Sequence, residues 1–292
     1  MKEIVVVSGK GGTGKTTIAA AFAVLAGGCV VADADVDAPD LHLLLHPEDA
    51  ERGEFVSGYV AVKHDELCVK CGACRNACRF EAIDDDLRIS ALECEGCGLC
   101  ALVCPRKAIQ MEDSVAGEWF LGRAGIGPMV YGKLKPGKGN SGKLVSLVRS
   151  KARSVGQEDG LDLVITDGPP GIGCPVIAAV GAATLAVVVA EPTAAGVHDL
   201  ERVVGVCRHF RVPTRVVINK ADLSAQGAKK IRSFCELASI SVVGEIPYDQ
   251  AVLDSIRFGQ PLVTYSRGSA ARAVERTWEA VQASLDRRGG PA

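Results

Sequence analysis

The sequence predicts a doubly wound α/β domain with a mostly parallel sheet, interrupted by an inserted cysteine-rich module. Short apolar runs rich in β-branched residues alternate with stretches of helical periodicity, as buried parallel strands and their crossover helices do. A glycine-rich turn joins the first apolar run to the first helical stretch. Eight of the 12 cysteines fall in two tight clusters where this alternation is broken.

The predicted elements follow one another in a regular order on either side of this break. The first strand is Glu3–Ser8, and an alanine-rich helix follows at Ile18–Ala26. The later predicted strands are Cys29–Ala32, Leu163–Thr166, Leu185–Ala190, Val216–Ile218 and Val242–Val243 with their flanks. The later predicted helices are Leu200–Phe210, Ala228–Leu237 and Ser269–Leu285.

The pattern divides the chain into three segments. Residues 1–60 and 113–292 are predicted to form one α/β domain, and residues 61–112 form the inserted module. Residues 113–143 are rich in Gly, Lys and Pro, so we expect them to return to the α/β domain through long loops. The stretch 140–144 is a candidate hinge or contact between the two modules.

Composition limits the functions that the chain can have. Its 292 residues are 48% hydrophobic and 23% charged, a globular balance that excludes disorder across the chain. The net charge of −2 gives no general attraction to nucleic acid or to anionic lipid, so neither is an expected partner. The longest apolar stretch, residues 175–190, is too short and too rich in Ala and Gly for a membrane span. Without a signal peptide, and with clustered cysteines that suit metal binding in a reducing compartment, a cytoplasmic location is expected.

The glycine-rich turn matches the P-loop pattern as Gly9-x4-Gly14-Lys15-Thr16. Its glycines let the backbone N–H groups face phosphates, and the following helix directs its positive end at the same anion. Lys15 is predicted to bind the β- and γ-phosphates of a nucleotide, and the Thr16 hydroxyl to coordinate Mg²⁺. The predicted nucleotide-binding residues of this turn are Gly9, Gly11, Gly12, Thr13, Gly14, Lys15, Thr16 and Thr17.

A second lysine, Lys10, follows the first glycine of the turn. The run Lys-Gly-Gly-Thr-Gly-Lys-Thr-Thr resembles the deviant Walker A motif of the MinD/ParA family of ATPases, which includes the nitrogenase iron protein and the Mrp-type cluster carriers. The resemblance implies a dimer that encloses ATP, either a homodimer or a heterodimer with a related ATPase. Lys10 would then reach the phosphates of the facing subunit and stabilise the charge of the transition state, as Lys15 does within its own subunit.

The same resemblance assigns roles to acidic residues that follow two of the predicted strands. Asp35 would orient the attacking water, and either Asp33 or Asp37 would help to hold Mg²⁺ through water. Asp167 ends an apolar strand, which is the Walker B arrangement, and would lie near Mg²⁺. Gly168 begins a Gly-Pro-Pro-Gly run that resembles the family's switch II, where its N–H would sense the γ-phosphate.

Two later segments resemble the part of the family that binds the base. Asn219 is the predicted adenine contact, and the 246–249 loop would lie beside the base. The Asn219-Lys-x-Asp222 pattern also occurs in GTPases, where the aspartate binds guanine. The deviant P-loop favours ATP.

The cysteine clusters form an internal repeat with a spacing typical of iron–sulfur proteins. Cys68, Cys71, Cys74 and Cys78 recur 26 residues later as Cys94, Cys97, Cys100 and Cys104. In such a run three cysteines bind one [4Fe–4S] cluster and the fourth binds the other. The first predicted cluster is therefore bound by Cys68, Cys71, Cys74 and Cys104, and the second by Cys94, Cys97, Cys100 and Cys78.

The module thus resembles the bacterial two-cluster ferredoxins. Arg79 stands where the second run has Pro105, a small departure from that pattern. A pair of zinc sites fits less well, because zinc sites use two separated pairs of ligands.

Four cysteines and the last helix lie outside these motifs. Cys29, Cys207 and Cys235 are predicted core residues. Cys174 lies seven residues after Asp167, where the nitrogenase iron protein places a ligand of its bridging cluster, but a buried structural thiol is favoured. In the last helix an apolar stripe is predicted to pack on the core rather than bind a membrane, and it consists of Val274, Trp278, Val281 and Leu285.

The leading functional hypothesis combines the two modules. A dimeric ATPase switch with Mg²⁺ and two [4Fe–4S] clusters would couple its nucleotide state to electron transfer to a partner protein. One alternative is an assembly or carrier ATPase that delivers iron–sulfur or another metal cofactor to its partner. A second alternative is a positioning ATPase of the MinD or ParA kind with the clusters as a redox sensor.

Overall fold

The computed structural model describes residues 1–139 and 141–286, and only the backbone of Asp49 and Ala50. The chain divides into two compact units. The first unit comprises Met1–Arg52, Trp119–Lys133 and Ser141–Ala292, and the second comprises Gly53–Glu118 and Leu134–Asn140.

The two units differ from the predicted segments in their bounds. The second unit begins before residue 61 and extends beyond residue 112, so it is longer than the predicted insertion at both ends. It also includes Leu134–Asn140, which the prediction assigned to the α/β domain. The difference arises because the strands that lead into and out of the insertion are long.

The described part of the chain has nine strands and eleven α-helices. The strands are β1 Lys2–Ser8, β2 Val30–Asp33, β3 Glu48–Lys63, β4 Ile109–Ala124, β5 Gly127–Leu134, β6 Leu163–Pro170, β7 Leu185–Ala190, β8 Thr214–Asn219 and β9 Ser241–Ile246. The helices are α1 Lys15–Ala26, α2 His42–Leu45, α3 Ala73–Ala77, α4 Leu99–Leu102, α5 Ser141–Glu158, α6 Cys174–Val180, α7 Ala194–His209, α8 Ala225–Leu237, α9 Gln250–Arg257, α10 Leu262–Tyr265 and α11 Ser269–Asp286.

Within the described residues the strands form one sheet in the order β3-β4-β5-β2-β6-β1-β7-β8-β9. The six pairings from β5 to β9 are parallel, as predicted for the α/β domain. In β1 both faces are buried, because Ile4 and Val6 belong to one apolar cluster while Val5 and Val7 are buried on the opposite face. Strands buried on both faces are typical of a doubly wound sheet.

The prediction of long loops over residues 113–143 was wrong. Residues 109–134 form the two long strands β4 and β5. Their alternation was hidden because many side chains of β4 are only partly buried, so the apolar signal of a buried strand is weak. The candidate hinge at 140–144 lies in the first turns of α5 from Ser141 onward, and Asn140 lies outside the described residues.

The apolar cluster of the first unit includes α1 and the last helix. Phe22 of α1 contacts Trp278 of α11, with ring centroids 5.1 Å apart. The four residues of the predicted stripe on α11 are all buried in this cluster, so the prediction that this helix packs on the core is confirmed. Within residues 1–139 and 141–286, no helix has both the length and the apolar composition needed to cross a bilayer.

The second unit repeats its backbone conformation at the spacing of the cysteine repeat. Left-handed residues occur in pairs 26 positions apart, namely Lys70 with Gly96, Gly72 with Gly98, and Glu81 with Lys107. Gly72 and Gly98 precede α3 and α4 with nearly equal torsion angles, φ 75° and ψ −2° against φ 77° and ψ −3°. The internal repeat of the sequence is therefore also a structural repeat.

Candidate functional site

The glycine-rich turn connects the carboxyl end of β1 to the start of α1. Gly12 and Gly14 have positive φ angles of 77° and 89°, a conformation that favours glycine. At Gly14 a Cβ would also lie 2.4 Å from the Asn219 amide nitrogen. No side chain caps the N-terminus of α1, so its first N–H groups remain available to an anion.

The predicted phosphate-binding residues surround a common space. A cavity of about 510 Å³ is lined by Gly11, Gly12, Gly14, Lys15, Thr16, Asp35, Asp37, Ala38, Asp40, Pro169, Pro170, Pro175 and Ile256. The Nζ atom of Lys15 lies 3.8 Å from Oδ2 of Asp35. The structure therefore brings together Lys15, Thr16 and Asp35 at one cavity.

Two carboxylates are buried beside this cavity on neighbouring strands. Asp33 of β2 and Asp167 of β6 are register partners, and both are essentially inaccessible to solvent. Asp33 accepts hydrogen bonds from the N–H groups of Asp35 and Leu41. Burial and the charge of Asp167 nevertheless raise the pKa of Asp33 well above its usual value.

Asp167 has no such hydrogen bonds. Among the described residues, neither of its carboxylate oxygens has a hydrogen-bond partner. Burial raises its pKa to about 6, although the Lys15 charge and the nearby Thr16 hydroxyl act in the opposite direction. An unpartnered buried carboxylate beside a cavity lined by Thr16 is a donor set that suits a divalent cation.

Asp35 is less deeply buried than these two carboxylates. Burial is the main cause that raises its pKa, the Lys15 charge opposes it, and the charges of Asp37 and Asp40 add to it. Asp37 and Asp40 are exposed. The acidic run thus divides into a buried carboxylate on the strand and more accessible carboxylates at the cavity.

Gly168 lies inside β6 rather than in a loop. A Cβ at this position would lie 2.6 Å from Cγ1 of Val7 and 2.9 Å from the Val6 carbonyl oxygen. Glycine is therefore needed here because β6 packs closely on β1. Its predicted contact with a γ-phosphate stays a prediction.

The Asn219 side chain is hydrogen-bonded to the backbone of the glycine-rich turn. Its Nδ2 donates to the Thr13 carbonyl oxygen over 2.7 Å, and its Oδ1 accepts from the Lys220 N–H over 3.0 Å. Asp222 accepts from the Tyr248 N–H over 2.7 Å, which joins the two segments predicted to bind the base. The predicted adenine contact of Asn219 stays a prediction, and its observed contacts are with the protein backbone.

Sequence reasoning did not find Glu191, which follows β7 directly. Its carboxylate is buried and pairs with two lysines of the site, Lys10 at 3.0 Å and Lys220. An acidic residue directly after a buried parallel strand is the signal that would have identified it, as it identified Asp167. Lys10 therefore lies beside Glu191 of its own chain in this structure.

The eight clustered cysteines line two cavities in the second unit. Each cavity is narrow, with a volume of about 20 Å³. The cysteines of the first cavity are Cys68, Cys71, Cys74 and Cys104, and those of the second are Cys78, Cys94, Cys97 and Cys100. These are the same two groups of four that the spacing predicted.

Two backbone N–H groups point at sulfur atoms of these cysteines. Ala108 donates to Sγ of Cys104 over 3.3 Å, and Ala61 donates to Sγ of Cys94 over 3.5 Å. In the described part of the chain, no three or more Cys, His, Asp or Glu side chains lie as close together as a single metal ion requires. Zinc, for example, needs sulfur atoms about 2.3 Å from one common centre.

The isolated cysteines divide into two kinds. Cys29, Cys207 and Cys235 are buried, as predicted. The prediction that Cys174 is a buried structural thiol was wrong, because Cys174 is exposed. It is the first residue of α6, where no preceding turn of helix covers the side chain.

Comparisons with known proteins concern the nucleotide-binding domain. Residues 4–262 match the family model for the CobQ/CobB/MinD/ParA nucleotide binding domain. The chain is 35% identical over 225 residues to the uncharacterized protein MJ0578 of Methanocaldococcus jannaschii, which covers 76% of this chain and 79% of that protein.

Solved structures show the same fold. The cell division ATPase MinD of Pyrococcus furiosus has a TM-score of 0.59 at 20% identity, and the match covers 97% of this chain and 99% of that one. The septum site-determining protein MinD of Pyrococcus horikoshii, in complex with Mg-ADP, has a TM-score of 0.58 at 17% identity, with 96% and 95% covered. The fold is therefore the α/β P-loop NTPase fold with a mostly parallel sheet.

Proposed function

The chain belongs to the CobQ/CobB/MinD/ParA family of nucleotide-binding domains, and on that basis we propose that it is a dimeric ATPase switch that controls electron transfer through two [4Fe–4S] clusters. The observation that carries the proposal is that one chain has both a P-loop cavity and two cavities lined by four cysteines each. The cofactors are Mg-ATP and the two clusters. The partners are a second copy or a related ATPase, and a protein that accepts electrons.

The nucleotide part of the proposal rests on the residues of the P-loop cavity. Lys15 and the N–H groups of the turn hold the phosphates, and the Thr16 hydroxyl with Asp167 holds Mg²⁺. The Asp167 oxygens have no hydrogen-bond partner among the described residues, and this supports the assignment, because a bound cation would add to the partial compensation that the Lys15 charge gives this buried carboxylate. Magnesium supplies neutralisation of phosphate charge at this position.

Asp35 is the residue proposed to activate water. Its carboxylate lies 3.8 Å from the Lys15 ammonium. A phosphate bound by Lys15 competes with this ion pair and leaves Asp35 free to accept a hydrogen bond from water. The raised pKa that burial gives Asp35 makes it a better proton acceptor than an exposed carboxylate.

The cluster part of the proposal rests on the cysteine cavities. Four cysteines around each cavity supply the four thiolate ligands that a [4Fe–4S] cluster needs. The backbone N–H groups of Ala61 and Ala108 stabilise negative charge on two of the sulfur atoms. The clusters supply one-electron transfer, and the exposed Cys71 and Cys97 bring one ligand of each cavity to the surface.

Anaerobic EPR of the dithionite-reduced protein, with and without Mg-ATP, tests the proposal together with iron quantitation. We expect about eight Fe per chain and cluster signals that change when Mg-ATP is added. The variant Lys15→Met is the matched control. It leaves all eight cysteines in place, so it keeps the iron content and loses the response to Mg-ATP.

Two other outcomes would lead to different functions. Clusters that are present and indifferent to Mg-ATP would contradict the electron-transfer switch, and iron that moves to an apo-acceptor during turnover would identify an assembly or carrier ATPase. The similarity to MinD structures favours a second candidate, a positioning ATPase with a redox sensor. ATP-dependent binding to lipid vesicles or DNA, without a change in cluster potential, would identify that function.

A further inference from the structure

Glu191 binds two lysines that belong to different parts of the nucleotide site. Its Oε2 lies 3.0 Å from Nζ of Lys10, in the glycine-rich turn, and its Oε1 accepts from Nζ of Lys220, which follows β8. The Glu191 side chain is 10% exposed, whereas those of Lys10 and Lys220 are 34% and 32% exposed. The Glu191 side chain is thus nearly enclosed, and about one-third of each lysine side chain remains exposed.

The position of Glu191 is set by rigid backbone. Its carbonyl oxygen accepts from the Thr193 N–H over 2.8 Å at the junction of β7 and α7. A Cβ at Gly196 would lie 2.2 Å from the same oxygen, so α7 approaches Glu191 as closely as glycine permits. The backbone of Glu191 is therefore closely packed against α7, whereas about one-third of each lysine side chain is exposed to solvent.

The two lysines are not equivalent. Lys220 also donates to the Gly12 carbonyl oxygen over 3.3 Å, and its backbone N–H is held by Asn219. For Lys10, Glu191 is the acidic side chain within ion-pair distance among the described residues. Lys10 is therefore the lysine that can leave Glu191 at the lower cost.

The pair of lysines keeps Glu191 charged in either arrangement. Burial tends to raise the pKa of Glu191, but hydrogen bonds and charges from Lys220 and Lys10 outweigh it and hold the pKa below its usual value. A buried carboxylate without a partner would be strongly destabilising. Because Lys220 remains when Lys10 departs, release of Lys10 does not leave that charge unpaired.

We propose that Glu191 is a positioning residue that holds Lys10 against its own subunit until Mg-ATP and a second subunit compete for the Lys10 ammonium. The inference rests on the proposed dimeric ATPase, in which Lys10 acts on the phosphates of the facing subunit. The strength of the Glu191–Lys10 contact then sets the chain concentration at which two subunits associate at saturating Mg-ATP. Lys220 weakens this hold, because it shares the same carboxylate.

The proposal predicts opposite effects for two neighbouring substitutions. Glu191→Gln keeps the shape of the side chain and removes its charge, so Lys10 is released. Lys220→Met leaves Glu191 with Lys10 as its remaining ammonium, so Lys10 is held more tightly. A purely structural role would impair the enzyme in both variants.

The experiment measures ATP turnover of the full chain, with its clusters intact, as a function of chain concentration at saturating Mg-ATP. Glu191→Gln is expected to lower the concentration that gives half-maximal turnover by about twofold to fivefold, the range of a partly exposed ion pair. Lys220→Met is expected to raise it by about threefold. In a Lys10→Ala background, where turnover is expected to be lost, Glu191→Gln should leave unchanged the chain concentration needed for Mg-ATP-dependent association, measured by sedimentation. The exposed Glu279→Gln on α11 is the control for loss of a negative charge.

Three results would overturn the proposal. The first is a half-maximal concentration that moves in the same direction in both variants, and the second is one that is unchanged or higher in Glu191→Gln. The third is an effect of Glu191→Gln on association that persists in the Lys10→Ala background. If Glu191→Gln does not fold, a lower half-maximal concentration in Lys220→Met still contradicts the proposed role of Glu191. The variant Lys10→Ala distinguishes failure of this inference from failure of the proposed function. If Lys10→Ala turns over ATP as fast as the wild type and independently of chain concentration, the dimeric ATPase itself is refuted.

Discussion

The two units of the chain bury their side chains in different ways. In the first unit an apolar cluster extends over the sheet and the helices α1, α10 and α11. In the second unit the buried apolar cluster consists of Ala61, Cys74, Ile83, Leu87, Cys100 and Ile109. Two of these six residues are cysteines that line the proposed cluster cavities.

This difference indicates what stabilises each unit. The first unit has enough buried apolar area to fold through the hydrophobic effect. The second unit has few buried apolar residues, and units with such small cores often gain stability from a metal, a disulfide or a partner. We therefore expect the second unit to depend on its clusters and the first unit to be independent of them.

Removal of iron should produce the largest effect. Anaerobic treatment with a chelator is expected to abolish amide protection over residues 53–118, because the cysteine cavities then lack the ligand bonds that join their walls. Protection of α1, β1 and β6 should remain. Hydrogen exchange followed by mass spectrometry measures both regions in one experiment.

A pair of cysteine variants sharpens the same comparison. Cys74→Ala removes a predicted cluster ligand, and iron content should fall to about four Fe per chain. Cys235→Ala alters a cysteine buried in the first unit, and about eight Fe should remain. Equal iron content in the two variants, or an iron-free second unit that keeps its protection, would contradict the expected dependence.

A buried ion network in the first unit should give the next largest effect. Glu3 of β1 accepts from Arg149 over 2.7 and 2.8 Å, from Arg153, and from the Thr166 hydroxyl over 2.9 Å. Glu3→Gln leaves buried Arg149 without its counter-charge, so the free energy of unfolding should fall by about 3–5 kcal/mol. Urea denaturation followed by circular dichroism measures this loss.

The exposed ion pair between Arg75 and Asp85 in the second unit is the matched comparison. Both side chains are largely exposed to water, so Asp85→Asn should leave the midpoint of unfolding almost unchanged. A loss in Asp85→Asn equal to that in Glu3→Gln would show that burial does not decide the effect.

The same network predicts a pH dependence. Burial tends to raise the pKa of Glu3, but the hydrogen bonds and charges of Arg149 and Arg153 outweigh it, so the pKa lies below its usual value of 4.5. The folded chain therefore binds this proton less readily than the unfolded chain, and the stabilisation is complete above about pH 4.5. It should be lost as the pH falls further, and the difference in stability between wild type and Glu3→Gln should shrink in step.

The smallest predicted effect concerns a helix cap. Thr193 accepts from the Gly196 N–H over 3.0 Å at the start of α7. Thr193→Ala should lower the free energy of unfolding by about 1 kcal/mol, and the exposed Thr264→Ala should not lower it. The short helices α3 and α4 of the second unit begin without side-chain caps, so this form of stabilisation is found in the first unit.

Several features could be predicted because they depend on neighbours in the chain. The glycine-rich turn, the strand Leu185–Ala190 and the helices at Ala228–Leu237 and Ser269–Leu285 agree with the structure to within a few residues. Strand β4 could not be predicted, because partly buried strands lack a strong apolar signal. Strand β5 is mostly buried, but its glycines, proline and lysine resemble a loop in the sequence. The exposure of Cys174 was also missed, since one residue's burial depends on what packs over it.

The sequence by itself determined the parallel sheet, the P-loop residues and the grouping of the cysteines, because each follows from local periodicity or from short spacings. Only the tertiary structure decided which distant groups meet. It brought Glu191 to Lys10 and Lys220, and Asn219 to the Thr13 carbonyl, because parallel strands that are far apart in the chain end at the same edge of the sheet. No local pattern encodes such contacts, since they arise from the order of strands in the sheet.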